Sequence, residues 1–547
     1  MTVAETSLLT RIEHVAGARA GAITFVGSGP PERVEWGRLH EEARAMAGAL
    51  QARGVAPGDH VALLGPTTRA FVTAIQATWL TGAAAVVMPL PMRLASIDEF
   101  VAQTRTRIRS ADARLLIIDP ELAGFLEHQP GDPPAVGLKE LESEHSPYER
   151  PNVDPNALAV LQFTSGATAD PKGVMLPHAA IVANLDAAGE AGRLQDDDVF
   201  VSWLPLYHDM GFIGMLTLPM ITGAELVLAA PQDFLASPSR WMEWMSEFGG
   251  SVSAGPNFSY ALAARSLRRM NDLDLSRWRM ALSGAEPVDP ATVGAFCDAG
   301  ARHGFDARAV FPAFGMAEVA IAGTFPEPMT GLRVDSVDRR SLEVDRKAVP
   351  ATGDGSRTLA FLGRPVPGLE LRICDPFNGN VLDDRVAGEL EIRGTSVTPG
   401  YYKHPEATAA AFHDGWLRTG DQAYLVDGEL VLCGRIKDMI IVAGRNVFPE
   451  DVERAVADVD GVRAGNVVAF GIEGRRGFEA MVVVAETKAD DTNPVRDAVA
   501  RRVKESVGLP AADVVLVQPG TLPKTSSGKL QRSLARTRYL AEELQPA

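Results

Sequence analysis

Cysteine is nearly absent. Three occur in 547 residues, Cys297, Cys374 and Cys433, far apart and in no Cys-x-x-Cys pair; this excludes a disulfide scaffold and a cysteine-based zinc site and favours reduced thiols in the cytoplasm. No apolar run is long enough to span a membrane. The most apolar stretch, residues 213–231, is interrupted by Pro219 and carries Glu225, which a spanning helix tolerates poorly. Met1–Glu5 lack a basic start followed by an apolar run, so no secretory signal is readable. Positive charge is scarce: 53 Lys+Arg stand against 70 Asp+Glu, a net of −17, whereas nucleic-acid binding needs a basic footprint. Also missing are internal repeats, a Walker A loop and a Gly-x-Ser-x-Gly elbow, which excludes a P-loop ATPase and an α/β-hydrolase.

What is present is an ordinary globular composition, 46% hydrophobic and 22% charged, on a chain long enough for three or four structural units. Apolar strand-like runs at 157–163, 173–176, 199–204, 224–229, 251–254 and 279–282 alternate with helical stretches such as 179–190, the pattern of α/β layers with buried sheets. A Pro-, Glu- and Ser-rich stretch at 131–155 reads as a linker. Residues 424–426 and 430–432 flank Asp427-Gly428, a hairpin turn. After Gly434 the style changes to α+β: Pro449 opens a helix with Glu450 and Asp451 in its first turn, strands lie near 465–471 and 480–486, and a helix follows Lys529. The charge changes there too. Residues 435–547 hold 17 Lys+Arg and 16 Asp+Glu, the rest of the chain 36 and 54. Surface variation alone could give this, or the C-terminal part approaches an acidic partner.

The most informative segment is Thr164-Ser165-Gly166-Ala167-Thr168-Ala169-Asp170-Pro171-Lys172-Gly173, directly after a strand. Small hydroxylated residues, glycine and one cation are what a phosphate-cradling loop requires. Alone it would be an ordinary surface turn. It is followed, however, by Phe314-Gly315-Met316-Ala317-Glu318, by Leu417-Arg418-Thr419-Gly420-Asp421, by Gly434-Arg435-Ile436-Lys437-Asp438, and by Leu522-Pro523-Lys524-Thr525-Ser526-Ser527-Gly528-Lys529.

In this order and spacing the motifs resemble those of the adenylate-forming superfamily of acyl-CoA synthetases, luciferases and peptide-synthetase adenylation domains, over nearly the whole chain. Ser202-Trp203-Leu204-Pro205-Leu206-Tyr207-His208-Asp209-Met210-Gly211, Gly255-Pro256-Asn257-Phe258, Ser283-Gly284-Ala285-Glu286-Pro287 and Arg445-Asn446-Val447-Phe448-Pro449 resemble the fatty acyl-AMP ligases, and among them the mycobactin-type siderophore acyl-loading members. The resemblance implies an α/β fold: a large N-terminal domain (1–434) of layered α/β subdomains with a β-barrel-like subdomain, then a small mobile α+β domain (435–547). It implies activation of a fatty acid by ATP and Mg²⁺, then transfer to a phosphopantetheinylated acyl carrier protein. By the same resemblance Thr164, Ser165, Gly166, Thr168 and Lys172 hold the β- and γ-phosphates, Glu318 helps bind Mg²⁺, and Asp421 with Arg435 takes the ribose. Gly284, Ala285, Phe314, Gly315 and Met316 frame the adenine. His208 lies near the reacting groups, the acyl tunnel runs beyond Met210, Gly211 and Phe258, Lys529 is the catalytic cation, and Lys437 is the hinge. The loop departs from the family's usual Ser-Gly-Thr-Thr-Gly, since Ala167 and Ala169 replace a hydroxyl and a glycine.

The implied chemistry brings a carboxylate up to an α-phosphorus already surrounded by anionic oxygens, so cations must offset the repulsion. The resulting mixed anhydride must be kept from water. The main rival is an acyl-CoA synthetase with free CoA as acceptor. Against it stand the 44 residues between Glu318 and Gly363, more than those enzymes usually have and similar to the ligases' insertion near 330–357. A non-catalytic adenylate-binding scaffold is expected to lose Lys529, Glu318 or Asp421, and all three are present. An acidic carrier would be steered by basic residues around 475–476, 496–504 and 532–538.

Overall fold

The alternation of strands and helices folds into two layered sheets, each parallel except at one edge. The computed structural model describes residues 6–18, 20–91, 97–144, 146–163, 172–353, 355–442, 445–473, 479–524 and 529–547. In the first sheet Val310–Pro312, Met280–Ser283, Val252–Gly255, Val199–Ser202, Glu225–Ala229, Ala22–Val26 and Glu32–Glu35 lie side by side in that order. The second runs Ala135–Gly137, Ala113–Ile118, His60–Leu64, Ala84–Val87, Leu158–Phe163 and Gly173–Pro177. Strands covered on both faces need no polar alternation, and His60–Leu64 is buried at every position. The connecting helices start as their sequences dictate. Asp289 caps Pro290–Ala301, accepting from the Thr292 N–H at 2.9 Å, with proline at the first position where its missing N–H does no harm.

The stretch 131–155 is not a linker. Ala135–Gly137 adds an edge strand to the second sheet, pairing with Leu116–Ile118, and Leu138–Ser143 follows as a helix with Leu138 and Leu141 buried. Its Pro, Glu and Ser residues dominate the composition, yet three apolar side chains, Val136, Leu138 and Leu141, suffice to anchor it.

The barrel-like part is an antiparallel sheet of Leu369–Cys374, Gly388–Gly394, Trp416–Val426, Phe412–His413 and Glu429–Arg435. Its Asp427-Gly428 turn has φ of 51° and 78°, both positive as a two-residue type I′ hairpin requires. The segment read as an insertion forms the strand Val334–Asp338, the helix Arg339–Asp345 and the strand Ser356–Ala360, the two strands antiparallel. It is no surface loop: Val337, Leu342 and Ala348 share a buried cluster with Tyr424, Val431, Cys433 and Phe448.

From Ile440 onward a valine-rich core forms around the strands Val462–Glu473, Glu479–Thr487 and Asp513–Val517 and the helices Pro449–Ala457 and Asn493–Val507. Arg532–Leu540 is the last helix. Among the described residues no helix is long and apolar enough to cross a membrane.

Candidate active site

A cavity of about 530 Å³ opens where all of these parts meet, a volume suited to a small-molecule ligand. Phe200, Val252 and Met280 come from the first sheet, Gln162 and Phe163 from the second, Thr419 and Arg435 from the antiparallel sheet, and Lys437 and Lys529 from beyond it. Of the expected residues, Lys172, His208, Met210, Gly284, Ala285, Phe314, Gly315, Met316, Glu318, Arg435, Lys437 and Lys529 line this cavity. Thr164, Ser165, Gly166 and Thr168 lie outside the described residues.

Gly284, Ala285 and Phe314–Met316 form one wall. Ala285 has φ of +67°, a conformation an alanine holds only where its surroundings impose it. A Cβ on Gly315 would lie 1.9 Å from the Ile321 carbonyl oxygen, so only glycine lets the two short strands close there.

Glu318 is buried, and the Tyr401 hydroxyl donates to its Oε1 at 2.9 Å. Burial pushes its carboxyl above the usual range, the Tyr401 bond and Arg435 oppose this, and Asp209 adds to it. The Lys172 ammonium lies 5.3 Å from the Tyr401 ring centroid, so one tyrosine contacts both the lysine and the acid. Nothing in the residue pattern around Pro399-Gly400-Tyr401 marks this tyrosine in advance. A single buried carboxylate facing a cavity fits Mg²⁺, which takes its other ligands from phosphates and water.

Asp421 lies just behind the wall, 2% exposed. Its Oδ1 is 2.7 Å from Arg435 Nε, and its Oδ2 has no hydrogen-bond partner among the described residues. Burial drives its carboxyl up to about 6 against the pull of Arg435. An orphaned carboxylate oxygen beside a nucleotide-sized cavity is a ready acceptor for ribose hydroxyls.

His208 Nδ1 is 2.6 Å from Asp209 Oδ1. Burial raises the Asp209 carboxyl, but His208 and then Lys529 outweigh it and hold it below its ordinary value. Burial lowers Lys529, and Asp209 and Glu286 oppose this. Glu286 accepts from the Phe258 N–H at 2.8 Å, and burial raises it. Arg532 donates to Asp438, next to Lys437, at 2.6 Å and to Glu453 at 3.0 Å. It thereby ties the Ile436–Asp438 turn to the helix that follows Lys529, and is engaged internally instead of steering partners at the surface.

The apolar residues Leu185, Phe200, Met215, Leu218, Val252 and Met280 are among those that line the cavity. Residues 210–217 form a wide π-helical turn: the Leu218 N–H reaches the carbonyl of Ile213, five residues back. Met210, Gly214 and Met215 from this turn reach the wall; Gly211 and Phe258 do not. A Cβ on Gly211 would lie 2.3 Å from the Pro205 carbonyl oxygen, so Gly211 serves close backbone packing. Phe258 packs partly buried against the main core.

The model of the family described as AMP-binding enzyme matches residues 12–402. The chain is 41% identical over 514 residues to the putative ligase Rv1013 of Mycobacterium tuberculosis, covering 92% of this chain and 94% of that one. It is 31% identical over 562 residues to the medium-chain-fatty-acid–[acyl-carrier-protein] ligase JamA of Moorena producens, covering 97% and 94%. Among solved structures it is similar to one from a study of fatty acyl-adenylate ligases from E. coli and L. pneumophila, at 30% identity and a TM-score of 0.91 over 99% of both chains.

Proposed function

The chain belongs to the AMP-binding enzyme family, and from that premise we propose that it activates a fatty acid with ATP as an acyl-AMP and passes the acyl group to the phosphopantetheine thiol of a carrier protein. The observation that carries this reading is the convergence of Glu318, Lys172, Arg435 and Lys529 on one cavity that also has an apolar lining. In the mechanism, the apolar lining holds the chain so that its carboxylate faces the cationic side. Lys529, buried against Asp209 and Glu286, offsets the charge of carboxylate and α-phosphate as they meet. Asp421 and Arg435 fix the ribose, and the glycine-rich wall takes the adenine. Glu318, steadied by Tyr401, would hold Mg²⁺, which supplies charge neutralisation at the phosphates. Much of the remaining acceleration is positioning.

The proposed division is 1–434 and 435–547. The independent valine core after Ile440 supports it, with Lys437 in the short turn between them. Rotation about that turn would withdraw Lys529 and admit the thiol. Carrier transfer is favoured over CoA because the 330–357 segment grips the C-terminal part: Arg445 Nε donates to Glu343 at 2.9 Å and Asn446 Nδ2 to the Glu343 carbonyl at 2.9 Å. A docked carrier can compensate for a broken grip with its own contacts; free CoA brings fewer. The motif likeness supports a place in siderophore assembly. The thiols of Cys297, Cys374 and Cys433, all unpaired, suit the cytoplasm.

The test is pyrophosphate release across fatty acids of graded length, followed by thioester formation with a pantetheinylated carrier or with CoA. Chain-length-dependent release with carrier acylation is expected. Absence of release with every acid would refute the reading, and efficient acyl-CoA formation would restore the synthetase.

A further inference from the structure

Four cations on the cavity wall have named partners. Arg435 has Asp421, Arg418 has Glu389, Lys172 faces Tyr401, and Lys529 is opposed by Asp209 and Glu286. Arg107 also lines the cavity and is half-buried. Among the described residues its side chain has no acid, hydrogen-bond acceptor or aromatic face, and burial alone disfavours its charged form. It lies on the helix Ile97–Ser110, anchored by buried Thr104 and Ile108. The arginines on either side are used differently: Arg105 and Arg109 both clamp Asp132, at 3.1 and 2.9 Å. One helix thus carries three arginines at alternate positions, two held by a single aspartate and one left for the cavity. Keeping a desolvated guanidinium without a counter-charge is unfavourable, so its retention calls for an anion that arrives from outside.

The surroundings indicate which anion. Arg107 lines the same cavity as Pro89, Phe163 and Lys172. Pro89 follows the strand Ala84–Val87, and Phe163 ends the neighbouring parallel strand Leu158–Phe163, with Ala85 opposite Val160. The carboxyl edge of such strands is where open α/β sheets receive phosphorylated ligands.

We propose that Arg107 is a phosphate ligand, its planar guanidinium taking the oxygens of a phosphate group that a substrate carries into the cavity. The proposal rests on the adenylation reading above. Two sources share this chemistry: the β- and γ-phosphates of ATP, and the phosphodiester of the pantetheine arm that brings the thiol.

The experiment is titration calorimetry on the full chain with ATP, pyrophosphate, AMP and pantetheine 4′-phosphate, comparing wild type, Arg107→Met and Arg107→Lys. Methionine keeps an unbranched stem and removes the charge. If the nucleotide is the source, ATP and pyrophosphate bind Arg107→Met about tenfold or more weakly while AMP is unchanged. If the arm is the source, only pantetheine phosphate weakens. In either case Arg107→Lys recovers part of the loss, and ligand-free Arg107→Met melts no lower than wild type, because an unpaired charge has been taken out of the interior. Unchanged binding of all four probes overturns the proposal. So does AMP weakening in step with ATP, or a melting temperature several degrees lower, since both mark Arg107 as a packing residue. A wild-type chain that bound neither ATP nor AMP would overturn the adenylation reading itself.

Discussion

Arg357 and Asp451 are in ion-pair contact at 2.8 Å, with side chains only 3% and 5% exposed. The first belongs to the strand Ser356–Ala360 and the second to the helix Pro449–Ala457, so the contact joins the 330–357 segment to the C-terminal part. The Arg357 guanidinium also lies 3.8 Å from the Phe448 ring centroid and donates to the Cys433 carbonyl at 2.8 Å. Together with Glu343–Arg445 it forms a latch that the proposed rotation about Lys437 must open. Removing one partner of a buried pair leaves an uncompensated charge, at about 3–5 kcal/mol.

Arg445→Ala should therefore loosen the latch, stranding Glu343, whose side chain is 1% exposed. Acyl-CoA formation from preformed acyl-AMP is expected to rise several-fold over wild type, while acyl-AMP synthesis changes little. Amide exchange across 334–345 reports whether the contact has opened. An opened contact with no gain in acyl-CoA would remove the latch from the account. Point breakage is the right probe, because excising the segment would strip Val337, Leu342 and Ala348 from the core they share with Tyr424 and Phe448.

Lys529→Ala should slow acyl-AMP formation by about 10²–10³, the usual loss when one preorganised charge-stabilising group is removed. Transfer from supplied acyl-AMP should be nearly normal, and equal damage to both half-reactions would count against the assignment. Lys437→Pro should do the reverse by fixing φ at the proposed pivot: acyl-AMP accumulates while the thioester does not form.

Tyr401→Phe removes the hydroxyl that holds Glu318 and keeps the ring under Lys172. Loss of a hydrogen bond to a charged group is worth about 1.5–3 kcal/mol, so the Mg²⁺ concentration needed for half-maximal pyrophosphate release should rise about tenfold or more. Glu318→Gln should raise it further. A Mg²⁺ requirement that moved in neither variant would place the metal elsewhere.

Asp421, with its carboxyl raised to about 6, should make nucleotide binding pH-dependent. Its facing groups are Arg435, Glu318, Lys437 and Thr419. On the proposed reading it is an ionised acceptor for ribose hydroxyls above pH 6; below, AMP affinity should fall, and Asp421→Asn should flatten the profile at the lower level. Stability runs in the opposite sense. Between the ordinary carboxylate range and pH 6 the folded chain keeps a proton that the unfolded chain has released, so folding loses stability as pH rises through that window. Asp421→Asn should gain on wild type by about 2–3 kcal/mol between pH 4 and 7. A constant difference in melting temperature over that range would contradict the assigned titration.

The sequence displays what local chemistry governs. Glu318, Arg435 and Lys529 sit in short runs whose glycines and hydroxyls announce phosphate and ribose, and all three meet at the cavity. Asp427-Gly428 is legible because only a few residue pairs accept two positive φ values. What is not legible depends on long-range placement. Tyr401 is 83 residues from Glu318 and has no periodicity to betray it. Arg107 reads as one more helical surface arginine until the wall it faces is known. Composition misleads at 131–155, where three buried apolar side chains decide the structure and the more numerous polar ones do not. Gly211 stands within a motif and invites a role at the acyl chain, whereas the carbonyl of Pro205 explains it.

The wide turn at Met210–Thr217 has a meaning for how this protein can change over time. A π turn holds one residue more than an α turn would over the same rise. Losing a single residue here would let the helix relax to ordinary geometry and rotate Met210, Gly214 and Met215 relative to one another. A point substitution adjusts one side chain; one codon deleted in this turn would move all three lining residues at once. Shifts in preferred chain length between descendants of such a gene should therefore map to insertions and deletions at 210–217 at least as often as to substitutions in the apolar lining.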